Sequence, residues 1–237
     1  MIKDFEKVEE LGIKGYKIIQ TKREFCFGSD AVLLSRFAGI KKGARVLDMC
    51  SGTGIIAILA EALYSPCEIC TLEINPEVCD MARRSVELNG LENKISVFCG
   101  DVKNAAEIFG KSAFDAVTVN PPYMPVGKGI INDKEKLAYA RHEILCTLDD
   151  AVKNAAAVLR PGGKLYMVHR SDRLCDVLCT LRKYKTEPKR LQIVYPDSSK
   201  KASLLLVEGL LGGGKELLVE KPLFMYDDNG NYIQSIK

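Results

Sequence analysis

From Arg45 to Tyr184, short apolar runs that read as strands alternate with segments that read as helices, and this restricts the fold more than any other feature. The predicted strands are Arg45–Met49, Glu68–Glu73, Ile95–Cys99, Phe114–Val119 and Lys164–His169. Between and after them lie the predicted helices Ile55–Leu63, Pro76–Asn89, Ala105–Phe109, Asp149–Leu159 and Asp172–Tyr184. Strands joined through helices run parallel, and the helices must cover both faces of the sheet. Local chemistry agrees: Asn75 is an N-cap with Pro76 at the first helical position, Gly90 follows the helix, and Pro161-Gly162-Gly163 closes a later one.

After residue 185 the alternation stops. Leu191–Tyr195, Ala202–Leu210 and Leu217–Pro222 read as strands separated by turns, with Gly212-Gly213-Gly214 as a hairpin or flexible loop. Residues 1–40 form an N-terminal extension, in which one or two β segments precede a helix capped by Ser29 or Asp30 and running to about Ala38. Residues 41–237 then form one large domain, which suits a 237-residue chain that is 47% apolar. There is no internal repeat and no linker that demands a second domain.

No stretch approaches the roughly 18 apolar residues needed to cross a bilayer. The first 20 residues mix charge and apolar residues without a signal-like run, so no membrane partner is expected. Of nine cysteines, Cys50, Cys70, Cys79, Cys99, Cys146 and Cys179 sit within apolar, element-like runs. Reduced core thiols of this kind suggest a cytoplasmic protein. Net charge is +3 but uneven: residues 1–159 carry 20 basic and 22 acidic side chains, residues 160–237 carry 14 and 9. The dense basic stretch from Arg182 through Lys183, Lys185, Lys189 and Arg190 to Lys200 and Lys201 fits a polyanionic partner or a solvated charged face.

The loop Asp48-Met49-Cys50-Ser51-Gly52-Thr53-Gly54 follows a strand and opens a helix. Glycines let a ligand approach the backbone, and the helix N-terminus offers free N–H groups. The loop lacks the dinucleotide fingerprint, since the residue three past Gly54 is Ala57. An acid at the strand end would repel a pyrophosphate but can bind an ammonium, directly or through water. A sulfonium ligand with an amino acid moiety fits. Glu73 ends the next strand, 19 residues after Gly54, where an acid accepts from ribose hydroxyls; a surface acid capping the next helix is its other reading. Asp101 ends the third strand and could accept from an adenine amine or simply cap a turn. Ile74 and Val102 beside these acids belong to the same expected pocket.

Asn120-Pro121-Pro122-Tyr123 follows directly on Phe114–Val119. Two prolines cannot continue a ladder, so the chain leaves the sheet here, at the edge where open α/β sheets bind ligands. An adenine amine is a poor nucleophile because its lone pair is delocalised. Two acceptors aimed at its N–H bonds favour pyramidal nitrogen and stabilise the charge that develops during attack on a methyl sulfonium. The Asn120 side-chain oxygen and the Pro121 carbonyl can be those acceptors, Pro122 stiffens the segment, and Tyr123 offers a face on which a flipped base stacks.

In order and spacing, Asp48–Gly54, Glu73, Asp101 and Asn120–Tyr123 resemble the class I methyltransferases of the amino-methylating branch, over residues 45–170. Phe25–Leu34, Ala140-Arg141-His142-Glu143, Val168-His169-Arg170 and Pro188-Lys189-Arg190 extend the resemblance to the bacterial tRNA1(Val) adenine-37 N6-methyltransferase family. The resemblance implies a Rossmann-like, doubly wound, mostly parallel seven-stranded sheet with antiparallel C-terminal strands. It implies S-adenosylmethionine as cofactor and adenine in RNA, most readily tRNA, as substrate.

By the same resemblance Phe27, Ser29 and Asp30 wall the cofactor pocket, so that residues 1–40 contribute to it, and Asn120 also borders the cofactor. Arg141, His142 and Glu143 fall in or after a loop over the substrate, though a surface ion pair and helix start would also explain them. Lys128, Lys189 and Arg190 are expected to meet RNA with Tyr123, and Lys134 and Lys136 could meet phosphates. His169 reads as a core or strand-end histidine. Cys67-x-x-Cys70 is a single pair, and nothing completes a site around Cys175 and Cys179, so no metal is expected.

Other readings are an rRNA adenine or guanine N-methyltransferase, a release-factor glutamine methyltransferase, and a non-catalytic binding module. Glutamine methyltransferases usually carry a helical N-terminal domain, whereas about 44 residues of mixed pattern precede the glycine loop here.

Overall fold

A computed structural model of the chain describes residues 2–21, 28–122, 146–227 and 230–232. Strands β3 (Arg45–Met49), β4 (Glu68–Glu73), β5 (Ile95–Cys99) and β6 (Phe114–Val119) begin and end where the apolar runs do. They pair in parallel with β7 (Leu159–Arg170), in the order β7-β6-β3-β4-β5. The connecting helices are α2 (Ile55–Tyr64), α3 (Pro76–Leu88), α4 (Ala105–Phe109) and α5 (Leu148–Val158), with α6 (Leu174–Lys183) after β7. Asn75 caps α3 by accepting from the Glu77 N–H at 2.9 Å.

Alternation along the strands divides the core. Val46, Ile69, Ala116, Tyr166 and Val168 pack on one face with α2 and with α1 (Ser29–Phe37). Leu47, Met49, Leu72, Val117, Val119, Leu165 and Met167 face α4, α5 and α6. Asp48 and Thr118 are cross-strand partners between Val46/Ala116 and the strand ends, so they share the face of α1 and α2.

The C-terminal strands β8 (Thr186–Tyr195) and β9 (Leu204–Leu211) complete a seven-strand core, with β9 antiparallel to both β7 and β8. Among the described residues the sheet reaches nine strands, because β10 (Leu218–Val219) and β11 (Leu223–Phe224) pair in parallel with the outer edge of β8. The expected strand Leu217–Pro222 is thus two residues long, and the glycine run carries the chain to the far side of β8 instead of closing a hairpin. Pro161 to Gly163 lie within β7 as an irregularity, since β6 register jumps from Phe114↔Leu159 to Ala116↔Lys164.

In the N-terminal extension, β1 (Glu6–Glu10) and β2 (Lys17–Thr21) form an antiparallel hairpin that docks on α3. Ile19 packs with Val78 and Met81, and Arg84 donates to both oxygens of the buried Glu6 at 2.7 and 2.6 Å. Gly28, not Ser29 or Asp30, holds the N-cap position of α1, and no side-chain cap bond forms there. No helix among the described residues is long and apolar enough to cross a membrane.

Candidate active site

Because β3 to β7 are parallel, their C-terminal ends open on one edge, and the order reverses at β3 between β4 and β6. Ligands of open α/β sheets bind in the crevice at such a switch point. The structure brings the Cys50–Gly54 loop, Glu73-Ile74, Asp101-Val102 and Asn120-Pro121-Pro122 to this edge.

The loop turns sharply. Cys50, Gly52 and Gly54 all have left-handed φ, of 55°, 54° and 85°. For Cys50, which carries a Cβ, this costs about 1 kcal/mol. A Cβ at Gly52 would meet nothing within 4 Å, so open space lies over the loop. Glu73 fixes the loop's shape: Oε2 accepts from the Gly52 N–H and Oε1 from the Asn75 N–H, both at 3.0 Å. A carboxylate has about four acceptor positions, so Glu73 retains capacity for hydroxyl groups.

Asp48 is 0% exposed. Its Oδ1 accepts from the Thr118 hydroxyl at 2.7 Å, while Oδ2 and the nearby buried Ser51 Oγ have no hydrogen-bond partner among the described residues. Burial pushes the Asp48 carboxyl up to about 7, opposed by the Thr118 hydroxyl and reinforced by Glu73. Such a carboxyl gains from a cationic ligand nearby. A buried acid with one unpartnered oxygen, a glycine bend with space above it and a second acid at the next strand end fit a ligand with an ammonium and a ribose.

Ile74 is 37% exposed at this edge, and Val102 is buried. Asp101 caps the turn after β5 by accepting from the Lys103 N–H at 2.9 Å. The structural reading of that acid therefore accounts for one of its oxygens. Asn120 Nδ2 donates to Asp30 Oδ2 at 3.4 Å, which joins the first turn of α1 to the end of β6. Ser29 Oγ instead contacts Met225 Sδ at 3.6 Å. Phe27, Tyr123, Lys128, Arg141, His142 and Glu143 lie outside the described residues, as do Lys134 and Lys136.

Beyond Asn120, a cavity of about 170 Å³ is lined by Pro121, Pro122, Cys146, Thr147, Leu148, His169 and Arg173. His169 is buried at the end of β7, and its Nδ1 accepts from the Arg170 N–H at 2.9 Å. Burial, then the Arg173 charge, lowers it to about 4, so it is neutral near pH 7. No sequence motif marks this cavity, because its walls come from four separate segments. Cys50 Sγ lies 3.7 Å from Cys146 Sγ, and this contact with burial raises the Cys50 thiol well above its usual range.

The basic residues of the C-terminal third are largely paired. Arg182 meets Glu187, Lys183 meets Asp149, and Lys200 meets Asp197. Arg190 bridges to Glu208 at 3.2 Å, stacks 4.0 Å from the Phe37 ring centre and donates to the Phe37 carbonyl. Lys189 donates to the carbonyls of Gly214 and Lys215. Both residues are mid-strand on β8, four strands from Asp48 or roughly 19 Å at the usual spacing, so they do not join the crevice. Cys70 is buried while Cys67 is exposed, and Cys175 and Cys179 are exposed on α6.

Comparison with known proteins places this geometry. The methyltransferase small domain family matches residues 19–184. A tRNA1(Val) (adenine(37)-N6)-methyltransferase of Porphyromonas gingivalis is 27% identical over 201 residues, covering 82% of this chain and 78% of that protein. One of the same name from Histophilus somni is 25% identical over 243 residues, covering 98% and 95%. Among solved structures, a predicted O-methyltransferase from Agrobacterium tumefaciens superposes with TM-score 0.69 at 21% identity, covering 87% of this chain and 93% of that one. TYW2 of M. jannaschii, solved with AdoMet, gives 0.58 at 14%, covering 89% and 87%.

Proposed function

The chain belongs to the methyltransferase small domain family and is an S-adenosylmethionine-dependent methyltransferase, and from that premise we propose that its acceptor is the exocyclic N6 amine of an adenine in RNA, most specifically adenosine 37 of tRNA1(Val). The observation that carries this reading is the position of Asn120-Pro121-Pro122, which leaves β6 at the switch point beside the glycine loop. The relatives named for that reaction, which span up to 98% of this chain, support the choice of RNA.

In this reading Asp48 and Ser51 face the amino acid end of the cofactor, and Glu73 holds its ribose. Ile74, Asp101 and Val102 border its adenine, and the N-terminal extension closes the pocket through α1. When bound at these residues, the cofactor would supply an electrophilic methyl on sulfur; the amine lone pair would take it up, the S–C pair would stay with sulfur, and the amine proton would pass to water. Asn120 Oδ1 and the Pro121 carbonyl accept from the two N–H bonds of the amine, which favours a pyramidal nitrogen and stabilises its growing positive charge. His169, neutral at pH 7 and in the cavity it shares with Pro121, is not needed as a base. RNA is the partner in this reading and the cytoplasm its place of action.

The test supplies labelled cofactor with either total RNA or a release factor, for the wild type and Asn120→Ala. Label should enter RNA with the wild type only, while Asn120→Ala still binds cofactor. Label in the release factor would instead establish the glutamine reading, and activity surviving Asn120→Ala would contradict the acceptor role.

A further inference from the structure

The contact between Asp30 and Asn120 settles which way the Asn120 amide faces. The two residues are 90 positions apart, and Asn120 Nδ2 lies 3.4 Å from Asp30 Oδ2. A carboxylate has no proton to donate, so the amide nitrogen, not its oxygen, must face it. The amide is planar with a single oxygen, so Oδ1 is then turned away from α1.

Asp30 is itself held in place. Its Oδ1 accepts from the Ala31 N–H at 2.9 Å, and it lies in the first turn of α1, where the helix dipole favours a negative charge. The helix is fixed by Leu33, Leu34 and Phe37 in the core. Gly28 leaves room for this side chain, since a Cβ there would sit 2.4 Å from Asp30 Oδ1. A carboxylate held at both ends by the fold, with one oxygen on a site amide, is more than a pocket wall.

We infer that Asp30 is a positioning residue for Asn120: its carboxylate locks the amide so that Oδ1, not Nδ2, meets the target amine. A flipped amide would point N–H bonds at the N–H bonds of the amine and remove one of the two acceptors. The Asp30 charge, acting through Nδ2–H, also makes Oδ1 a better acceptor. This rests on the acceptor role proposed for Asn120 and assigns the first turn of α1 a task in the transfer step.

Asp30→Asn removes the charge and the donor–acceptor asymmetry at little change in volume. Gly28→Ala keeps the carboxylate and crowds it. Single-turnover transfer to RNA, cofactor Kd and thermal midpoint are measured for both. Asp30→Asn should lower the rate at saturating cofactor by roughly tenfold to a hundredfold, in the range expected when a reacting group is misplaced by about an ångström. Gly28→Ala should lower it in the same direction, and Kd and midpoint should hardly move in either variant. An unchanged rate, or a raised Kd with the saturating rate intact, would make Asp30 a cofactor contact and overturn the inference.

A second measurement does not need turnover. The side-chain NH2 resonances of Asn120, assigned by their loss in Asn120→Ala, should move in Asp30→Asn, and unmoved resonances would overturn the inference. If the wild type transferred nothing to RNA, the functional reading would fall while these resonances still decided the contact.

Discussion

Asp48→Asn should change how stability depends on pH, because it removes a buried proton-binding group. The Asp48 carboxyl is fully buried and pushed up to about 7, against an ordinary 3.8. The folded chain therefore holds this proton more tightly than the unfolded chain. Its stabilising contribution is complete below about pH 4 and is lost as pH rises through about 7. Three pH units correspond to about 4 kcal/mol in total, of which about 3 kcal/mol is lost between pH 5 and pH 8.5. Asparagine has no proton to lose, and its Oδ1 can still accept from Thr118. Its Nδ2 falls where Oδ2 has no partner, which costs about 1–3 kcal/mol at every pH. The variant should therefore be equal to or less stable than wild type at pH 5, by up to about 2 kcal/mol, and more stable at pH 8.5, by about 1–3 kcal/mol. The difference between the two profiles should be about 3 kcal/mol, or roughly 6–12 °C in thermal midpoint for a chain of this size. The assay is thermal unfolding without cofactor at both pH values. Parallel profiles would refute the burial argument. A cofactor ammonium should also displace the proton, so binding near pH 6.5 should release protons from wild type and not from Asp48→Asn.

His169→Gln should reduce acid sensitivity. A base lowered from 6.5 to about 4 contributes stability that is present above pH 6.5 and lost as pH falls, about 3 kcal/mol by pH 4; equal acid profiles for wild type and variant would contradict its burial as a neutral group. Arg84→Ala leaves the Glu6 carboxylate buried without its bidentate partner, and should cost about 3 kcal/mol in urea unfolding at pH 7. Gly163→Ala would place a Cβ 2.8 Å from the Arg160 carbonyl oxygen and 2.9 Å from Leu159 Cδ2, so a loss of about 1–3 kcal/mol is expected. Alkylation of native protein, read by peptide mass, should modify exposed Cys67, Cys99, Cys175 and Cys179 first, and spare Cys70 and Cys79, whose thiols burial pushes up to about 12.

Much of this arrangement was legible in the sequence because the signals were local. Strands β3 to β6 begin and end at the apolar runs, and Asn75-Pro76 starts α3 as its capping chemistry requires. The loop and strand-end residues were read from the glycine pattern, the strand-end acids and the double proline, and parallel topology then puts them on one shared edge. What escaped depended on contacts distant in sequence. Nothing near Arg190 announces that Phe37 and Glu208 engage it, 153 positions away in the first case. Periodicity could not mark β10 and β11, which exist only because the edge of β8 offers partners to two-residue segments. Composition likewise counted basic and acidic side chains in residues 160–237 but could not show which of them pair. The Asp30–Asn120 contact joins an extension to a strand end, and no spacing rule anticipates it.

Methylation of an adenine amine held at Asn120-Pro121 is the activity proposed for this chain. Its most direct test incubates the purified chain with methyl-labelled S-adenosylmethionine and unmodified tRNA, then digests the RNA and separates the nucleosides by mass spectrometry. Label should appear in N6-methyladenosine, carried by one tRNA species and lost in Asn120→Ala. Label in any other nucleoside, or none in RNA while a release-factor glutamine takes it up, would contradict it.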